Sequence, residues 1–227
     1  LYTTRDCSGD AVATGEADLH GKFEVTAVAA ENSETVFYGT ATDLAGIASP
    51  CTVEGFSFVH DNIEPTAPEW SMVYPESPSN SDNAPTLVGS AEDGAVVSIY
   101  STDDCSGDAL LTADVVEGGF ETTKADTALA QPGLLVPDNS TTTYYSVATD
   151  AAGNISSCSA GLSYTHDNIS PAPPEIVSTS PVSPSNENDV LVLGTAESGS
   201  TVSLHTDALC ESVPLNSGEE AVFAATG

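Results

Sequence analysis

The feature that most constrains this chain is its similarity to itself. Leu1-Tyr-Thr-Thr-Arg-Asp-Cys-Ser-Gly-Asp10 recurs as Ile99-Tyr-Ser-Thr-Asp-Asp-Cys-Ser-Gly-Asp108 and, degraded, as Leu204-His-Thr-Asp-Ala-Leu-Cys210. Ala41-Thr-Asp-Leu-Ala-Gly46 returns as Ala148-Thr-Asp-Ala-Ala-Gly153, and His60-Asp-Asn-Ile-Glu-Pro65 as His166-Asp-Asn-Ile-Ser-Pro171. Ser77-Pro-Ser-Asn80 matches Ser183-Pro-Ser-Asn186, and Leu87-Val-Gly89 matches Val192-Leu-Gly194. An offset held at about a hundred residues marks a chain built from serial copies of one unit. Residues 66–171 form one complete unit, residues 1–65 the later part of a preceding one, and residues 172–227 the first part of a following one. A sheet domain divided in this way exposes a strand edge and half a core. Flanking sequence or a neighbouring molecule is therefore expected to complete the outer units.

Within the complete unit, short alternating apolar runs are bounded by Pro, Gly, Asn and Asp, which is the pattern of an all-β domain. Strands are expected at residues 69–74, 84–91, 96–101, 109–116, 119–123, 142–149 and 155–166. Residues 126–139 hold an insertion of roughly nine residues that the first copy lacks, with Pro132, Gly133 and Pro137 marking an irregular loop.

The repeat sorts the cysteines. Cys7 and Cys105 follow the same strand in successive copies, while Cys51 and Cys158 follow the same Asp-x-Ala-Gly turn. Disulfides are expected between Cys7 and Cys51 and between Cys105 and Cys158, which implies an oxidising compartment. Cys210 matches the first member of each pair, and its partner is expected beyond Gly227. A metal cluster is the competing reading, but single cysteines without C-x-x-C spacing are poor zinc ligands.

Charge narrows the partners. Asp and Glu number 34 against three Lys and Arg, a formal net charge of -31. Nucleic acid is excluded as an expected partner, because binding a polyanion requires basic side chains to displace its counterions. An anionic membrane surface is disfavoured for the same reason, and no run approaches the roughly 18 apolar residues of a spanning helix. So much carboxylate instead keeps a chain soluble in a salty medium or binds divalent cations. The N-terminus has neither a basic stretch nor an apolar run after an initiator Met, and reads as processed or excerpted.

The order of the motifs resembles the bacterial immunoglobulin-like tandem repeats of large cell-surface and adhesin proteins. The residues that carry the resemblance are Gly-Ser-Ala-Glu-Asp-Gly at 89–94, Val-Val-Ser-Ile-Tyr at 96–100, Tyr144-Tyr-Ser-Val-Ala-Thr-Asp150, Ala-Gly-Asn at 152–154, and Asp167-Asn168 before a proline-rich junction. The resemblance implies a fold of tandem immunoglobulin-like, Greek-key β-sandwiches of about a hundred residues, each with about seven strands, arranged as a stalk. It departs from antibody domains, where the disulfide joins the two sheets beside a buried Trp. Here the cysteines lie nearer strand ends and Trp70 sits on the first strand. The equivalence of Tyr38 and Tyr145 points to a core or corner tyrosine in the penultimate strand.

Calcium is the ligand that the acidic side chains would take. Hard oxygen donors gather near the unit junctions at Asp61, Asn62, Asp167 and Asn168, at the turn residues Asp43 and Asp150, and at Asp82, Glu92 and Asp93. Asp-Asn before a Pro-rich linker loosely resembles the calcium-binding linkers of cadherins. The competing reading is that these residues simply make turns, as Asp and Asn do. His60 and His166 are repeat-related and read as structural. No Gly-x-Ser-x-Gly elbow, H-E-x-x-H or phosphate-binding Gly loop occurs, so no catalytic role is expected.

The expected function is that of a non-catalytic structural segment of an extracellular stalk, sheath or filament on a bacterial-type cell surface. Its partners would be neighbouring repeats of the same chain or of identical subunits. The alternative is an adhesin module that binds a glycan or protein receptor through loops such as residues 126–139.

Overall fold

The computed structural model describes residues 1–122, 134–212 and 214–215. These residues form antiparallel sheets in a sandwich-like arrangement, with no α-helix among them. The chain divides into two compact units, Leu1–Asn168 and Ile169–Gly227.

In the first unit, β1 (Ser33–Phe37) and β2 (Phe56–His60) pair as a two-stranded sheet with Ser33 opposite His60. Two further sheets form from residue 69 onward. One has the order β3 (Glu69–Tyr74), β4 (Thr86–Ser90), β7 (Gly119–Glu121). The other has the order β6 (Leu111–Asp114), β5 (Val96–Tyr100), β8 (Ser140–Thr149), β9 (Leu162–His166). The chain thus changes sheet between β4 and β5, between β6 and β7, and between β7 and β8.

Alternation along these strands decides what is buried. Val97 and Ile99 on β5, Tyr144 and Ala148 on β8 and Tyr164 on β9 meet Leu87 on β4 and Phe120 on β7 in one core. Residues two apart on a strand share a face, so each sheet gives one apolar row to the interior. Burying each such large side chain contributes about 1.5–3 kcal/mol. Trp70 on β3 closes one side, edge-on to Phe120 with ring centroids 5.6 Å apart, and its Nε1 donates to Ala160 O at 2.9 Å.

Of the core or corner reading of Tyr145, the core part is corrected: the pleat turns Tyr145 to the opposite face from its neighbour, and Tyr144 is the one that is fully buried. Tyr144 Oη donates to Leu134 O at 2.8 Å. Burial, reinforced by nearby Tyr164, pushes its phenol up to about 12.

The second unit contains β10 (Glu175–Ser180) and β11 (Leu191–Thr195), paired antiparallel. Its register breaks between Ile176 and Ser178, as the β3–β4 pair breaks between Trp70 and Met72. A bulge is a specific local geometry, so its return at the repeat-equivalent position shows that the two hairpins share more than a hydrophobic pattern.

Candidate functional site

Cys7 is bonded to Cys51 and Cys105 to Cys158, with Cα atoms 5.7 Å apart in each pair. The first cysteine of each pair is held in a left-handed turn, at φ 52° for Cys7 and 53° for Cys105, and Cys210 has φ 55°. The turn is built by its neighbours. Cys7 N donates to Thr4 O and Cys105 N to Thr102 O, while the carboxylates of Asp6 and Asp104 accept from Ser8 N and Ser106 N. Hydrogen bonds from Ser8 and Ser106 hold those two carboxyls below the usual range. In the third copy Leu209 stands where Asp6 and Asp104 do, and the turn is capped instead from the Thr4 and Thr102 position: Asp207 accepts from the amides of Leu209, Glu211 and Ser212, and hydrogen bonds led by Ser212 hold it well below an ordinary aspartate. Cys210 is a free, exposed thiol.

The second cysteine of each pair rides on a ladder that the sequence reading missed. Ser146 N donates to Ser159 Oγ and Ala148 N to Ser156 Oγ, both at 2.9 Å, while Ser159 N and Ser156 N return bonds to the carbonyls of Ser146 and Ala148. The first repeat does the same. Gly39 N reaches Thr52 Oγ1 and Ala41 N reaches Ser49 Oγ, each at 3.0 Å. Hydroxyls thus replace carbonyl oxygens as acceptors for the backbone that precedes the second cysteine of each pair. The signal was present as Ser49-Pro-Cys-Thr52 and Ser156-Ser-Cys-Ser159, a hydroxyl on each side of the bridging cysteine.

The acidic turns are equally specific. Asp43 Oδ1 accepts from Ala45 N and Ile47 N, and Asp150 Oδ1 from Ala152 N and Asn154 N. Asp150 Oδ2 also accepts from Asn154 Nδ2 at 2.8 Å. These bonds, the Asn154 side chain first, hold the Asp150 carboxyl below its usual range. Asp61 Oδ1 accepts from Ile63 N, and Asn154 Nδ2 reaches Asp61 O at 3.3 Å. Asp61 and Asp150 therefore share a cleft of about 300 Å³ with Glu92 and Asp93. At the two Asp-Asn pairs, Asn62 N donates to Asn32 Oδ1 and Asn168 N to Asn139 Oδ1, while Asp167 N bonds Ser79 O. The cleft gathers negative charge, but among the described residues no three His, Cys, Asp or Glu side chains converge as a metal-binding group. The donors fit turns better than a calcium cage, because Asp150 already directs both oxygens to Asn154.

The repeat-related histidines do not form a site. His60 Nδ1 accepts from Asn32 N at 3.1 Å. His166 is buried, with Asp138 Oδ1 3.5 Å from Nδ1: an electrostatic neighbour rather than a hydrogen-bond partner. Of the insertion at residues 126–139, residues 126–133 lie outside the described residues; Val136 packs into the core, and its N donates to Asn83 O.

A mainly apolar concavity belongs to the first repeat. It measures about 810 Å³, and Phe23, Phe37, Phe56, Phe58 and His60 contribute to its lining.

A scan against models of known protein families finds no match, and neither does a search of curated proteins. No helix among the described residues is long and apolar enough to cross a membrane.

Proposed function

We propose that the chain is a run of tandem immunoglobulin-like repeats serving as a non-catalytic structural segment of an extracellular stalk, sheath or filament on a bacterial-type cell surface. The observation that carries this reading is the recurrence of one stapled unit. Two successive copies place a left-handed cysteine, an Asp-capped turn and a hydroxyl-flanked partner cysteine in the same order and join them by the same disulfide. A Greek-key sandwich is supported by the strand orders β3-β4-β7 and β6-β5-β8-β9 and by the chain's three changes of sheet. The two disulfides fit an oxidising, extracellular environment.

The physical properties suit a spacer. Stapled sandwiches in series resist extension, and a net charge of -31 keeps neighbouring stalks from clumping. The carboxylates of Asp6, Asp43, Asp104, Asp150 and Asp207 accept backbone hydrogen bonds in their turns, which favours a structural over a chemical role for them. Peptide mapping of native material under non-reducing conditions, together with protease shaving of intact cells, tests the reading. Both disulfides and release of the segment from the cell exterior are expected; free thiols at all five cysteines, or protection until lysis, would contradict it.

A further inference from the structure

We propose that the second repeat carries tension through one small parallel patch, residues 77–79 against residues 165–167, which holds the entering and leaving ends of the unit together in shear. The inference deepens the stalk reading given above and rests on it.

Four hydrogen bonds tie the two ends of the unit to each other. Ser79 N donates to Thr165 O at 3.0 Å, Asp167 N to Ser79 O at 2.9 Å, and Thr165 N to Ser77 Oγ at 2.8 Å. Tyr164, fully buried, donates from its Oη to Asp82 O. The bridge between Ser79 and His166 is parallel, whereas the strand pairs from β3 to β9 are antiparallel. Pro75 and Pro78 account for the change of partner. Neither has an N–H to give to a ladder, so β3 ends at Tyr74 and the residues after it cross to another edge. That edge belongs to β9, which stands last in its sheet with β8 on its other side.

Direction decides what a load does to these bonds. In a parallel pair, the chain enters one segment at the end opposite to that where it leaves the other. Tension passed from repeat to repeat therefore draws residues 77–79 and β9 past each other along their length, roughly across the hydrogen bonds. Bonds loaded in this way share the force and must break together. A hairpin pulled open from its end loses them one at a time.

β3 lies between the preceding repeat and the patch, and it is the weaker hold. It stands at the edge of its sheet, and its ladder with β4 is interrupted by the bulge between Trp70 and Met72. β9 is gripped on both edges, by β8 from Leu162 to His166 and by residues 77–79. Behind the patch, the bridge between Cys105 and Cys158 keeps β6, β7 and β8 from being drawn out. Both halves of the patch belong to the repeated pattern: Ser77-Pro-Ser-Asn80 returns at residues 183–186, and His166-Asp-Asn168 is preceded by His60-Asp-Asn62.

The test is constant-force optical tweezers on the full chain, tethered at its two ends. Ser77→Ala removes one acceptor from the patch and Ser77→Thr keeps it, while Ser71→Ala removes the bond from Ser71 Oγ to Val88 O between β3 and β4. Unfolding of the second repeat is recognised as the event whose released length grows by roughly 180 Å, the span of 53 extended residues, when dithiothreitol opens Cys105–Cys158. Ser77→Ala is expected to shorten the lifetime of that repeat under load about fivefold, the rate equivalent of one hydrogen bond. Ser77→Thr and Ser71→Ala are expected to match the wild type. In urea, without load, Ser77→Ala and Ser71→Ala should unfold at similar rates, since each has lost one exposed hydroxyl bond. A Ser77→Ala lifetime equal to that of the wild type overturns the proposal. So does an equal loss in Ser71→Ala, which would put the load on β3 and β4. Faster unfolding of Ser77→Ala in urea by the same factor would make the loss one of general stability, and would also overturn it. Each of these failures leaves the stalk reading standing, because antibody labelling of native material reads where the segment lies and not how it bears load.

Discussion

Gly89 lies beneath the ring of Phe120: a β-carbon built on the glycine would stand 2.5 Å from Phe120 Cζ and 2.6 Å from Glu69 O. Neither neighbour can yield cheaply, since one is backbone and the other is held edge-on against Trp70. Gly89→Ala is therefore expected to destabilise the second repeat by about 1–3 kcal/mol, the usual cost of overfilling a packed core. Urea denaturation followed by Trp70 fluorescence measures it, and an unchanged midpoint would contradict this packing.

The disulfides should matter unequally to local and global stability. Cys105 and Cys158 are 53 residues apart and close a loop around the packed core, so Cys105→Ser with Cys158→Ser should lower unfolding free energy by about 4 kcal/mol in the chain-entropy account. The Cys7–Cys51 bridge spans 44 residues of a repeat whose aromatic face is open. Its removal should leave the Trp70 transition unchanged, whereas loss of both repeats together would show that they unfold as one.

Alkaline pH should unfold the protein through Tyr144. Its folded phenol is raised to about 12 from an ordinary value of 10.0. The corresponding stability is full below pH 10.0 and is lost as pH rises towards about 12, because the unfolded chain ionises first. Tyr144→Phe should lose about 1 kcal/mol at neutral pH with the Leu134 hydrogen bond, yet unfold less steeply with rising pH. Equal alkaline slopes for the two proteins would contradict this assignment.

At Asp150 the turn and the calcium readings separate. Its depressed pKa means that its contribution is present above the ordinary value of 3.8 and is lost as pH falls through the lower folded value. With both oxygens engaged by Asn154, exchange of calcium for a chelator should leave the melting temperature unchanged. A rise in calcium that Glu92→Gln or Asp93→Asn removes would instead establish a cation in the cleft.

Much of this architecture was legible because the repeat compares the chain with itself. The strand expected at residues 69–74 is β3, and those expected at 96–101 and 142–149 differ from β5 and β8 only at their ends. The strand expected over 155–166 begins only at Leu162, because Ser156 and Ser159 bond β8 through hydroxyls and the regular ladder does not form there. The adjacent Tyr144 and Tyr145 leave the facing of the pleat undecided until the β5–β8 register is known. Asp61, Asp150, Glu92 and Asp93 could be read as acidic, but the hydrogen bonds that occupy Asp150 depend on the fold of its turn.

The central claim is that these repeats separate points in space outside the cell. Electron microscopy of native material, labelled with antibody against this segment, tests it most directly. Label recurring along an extended surface stalk or filament is the predicted result. Label confined to a compact terminal knob, or found only inside the cell, would contradict it.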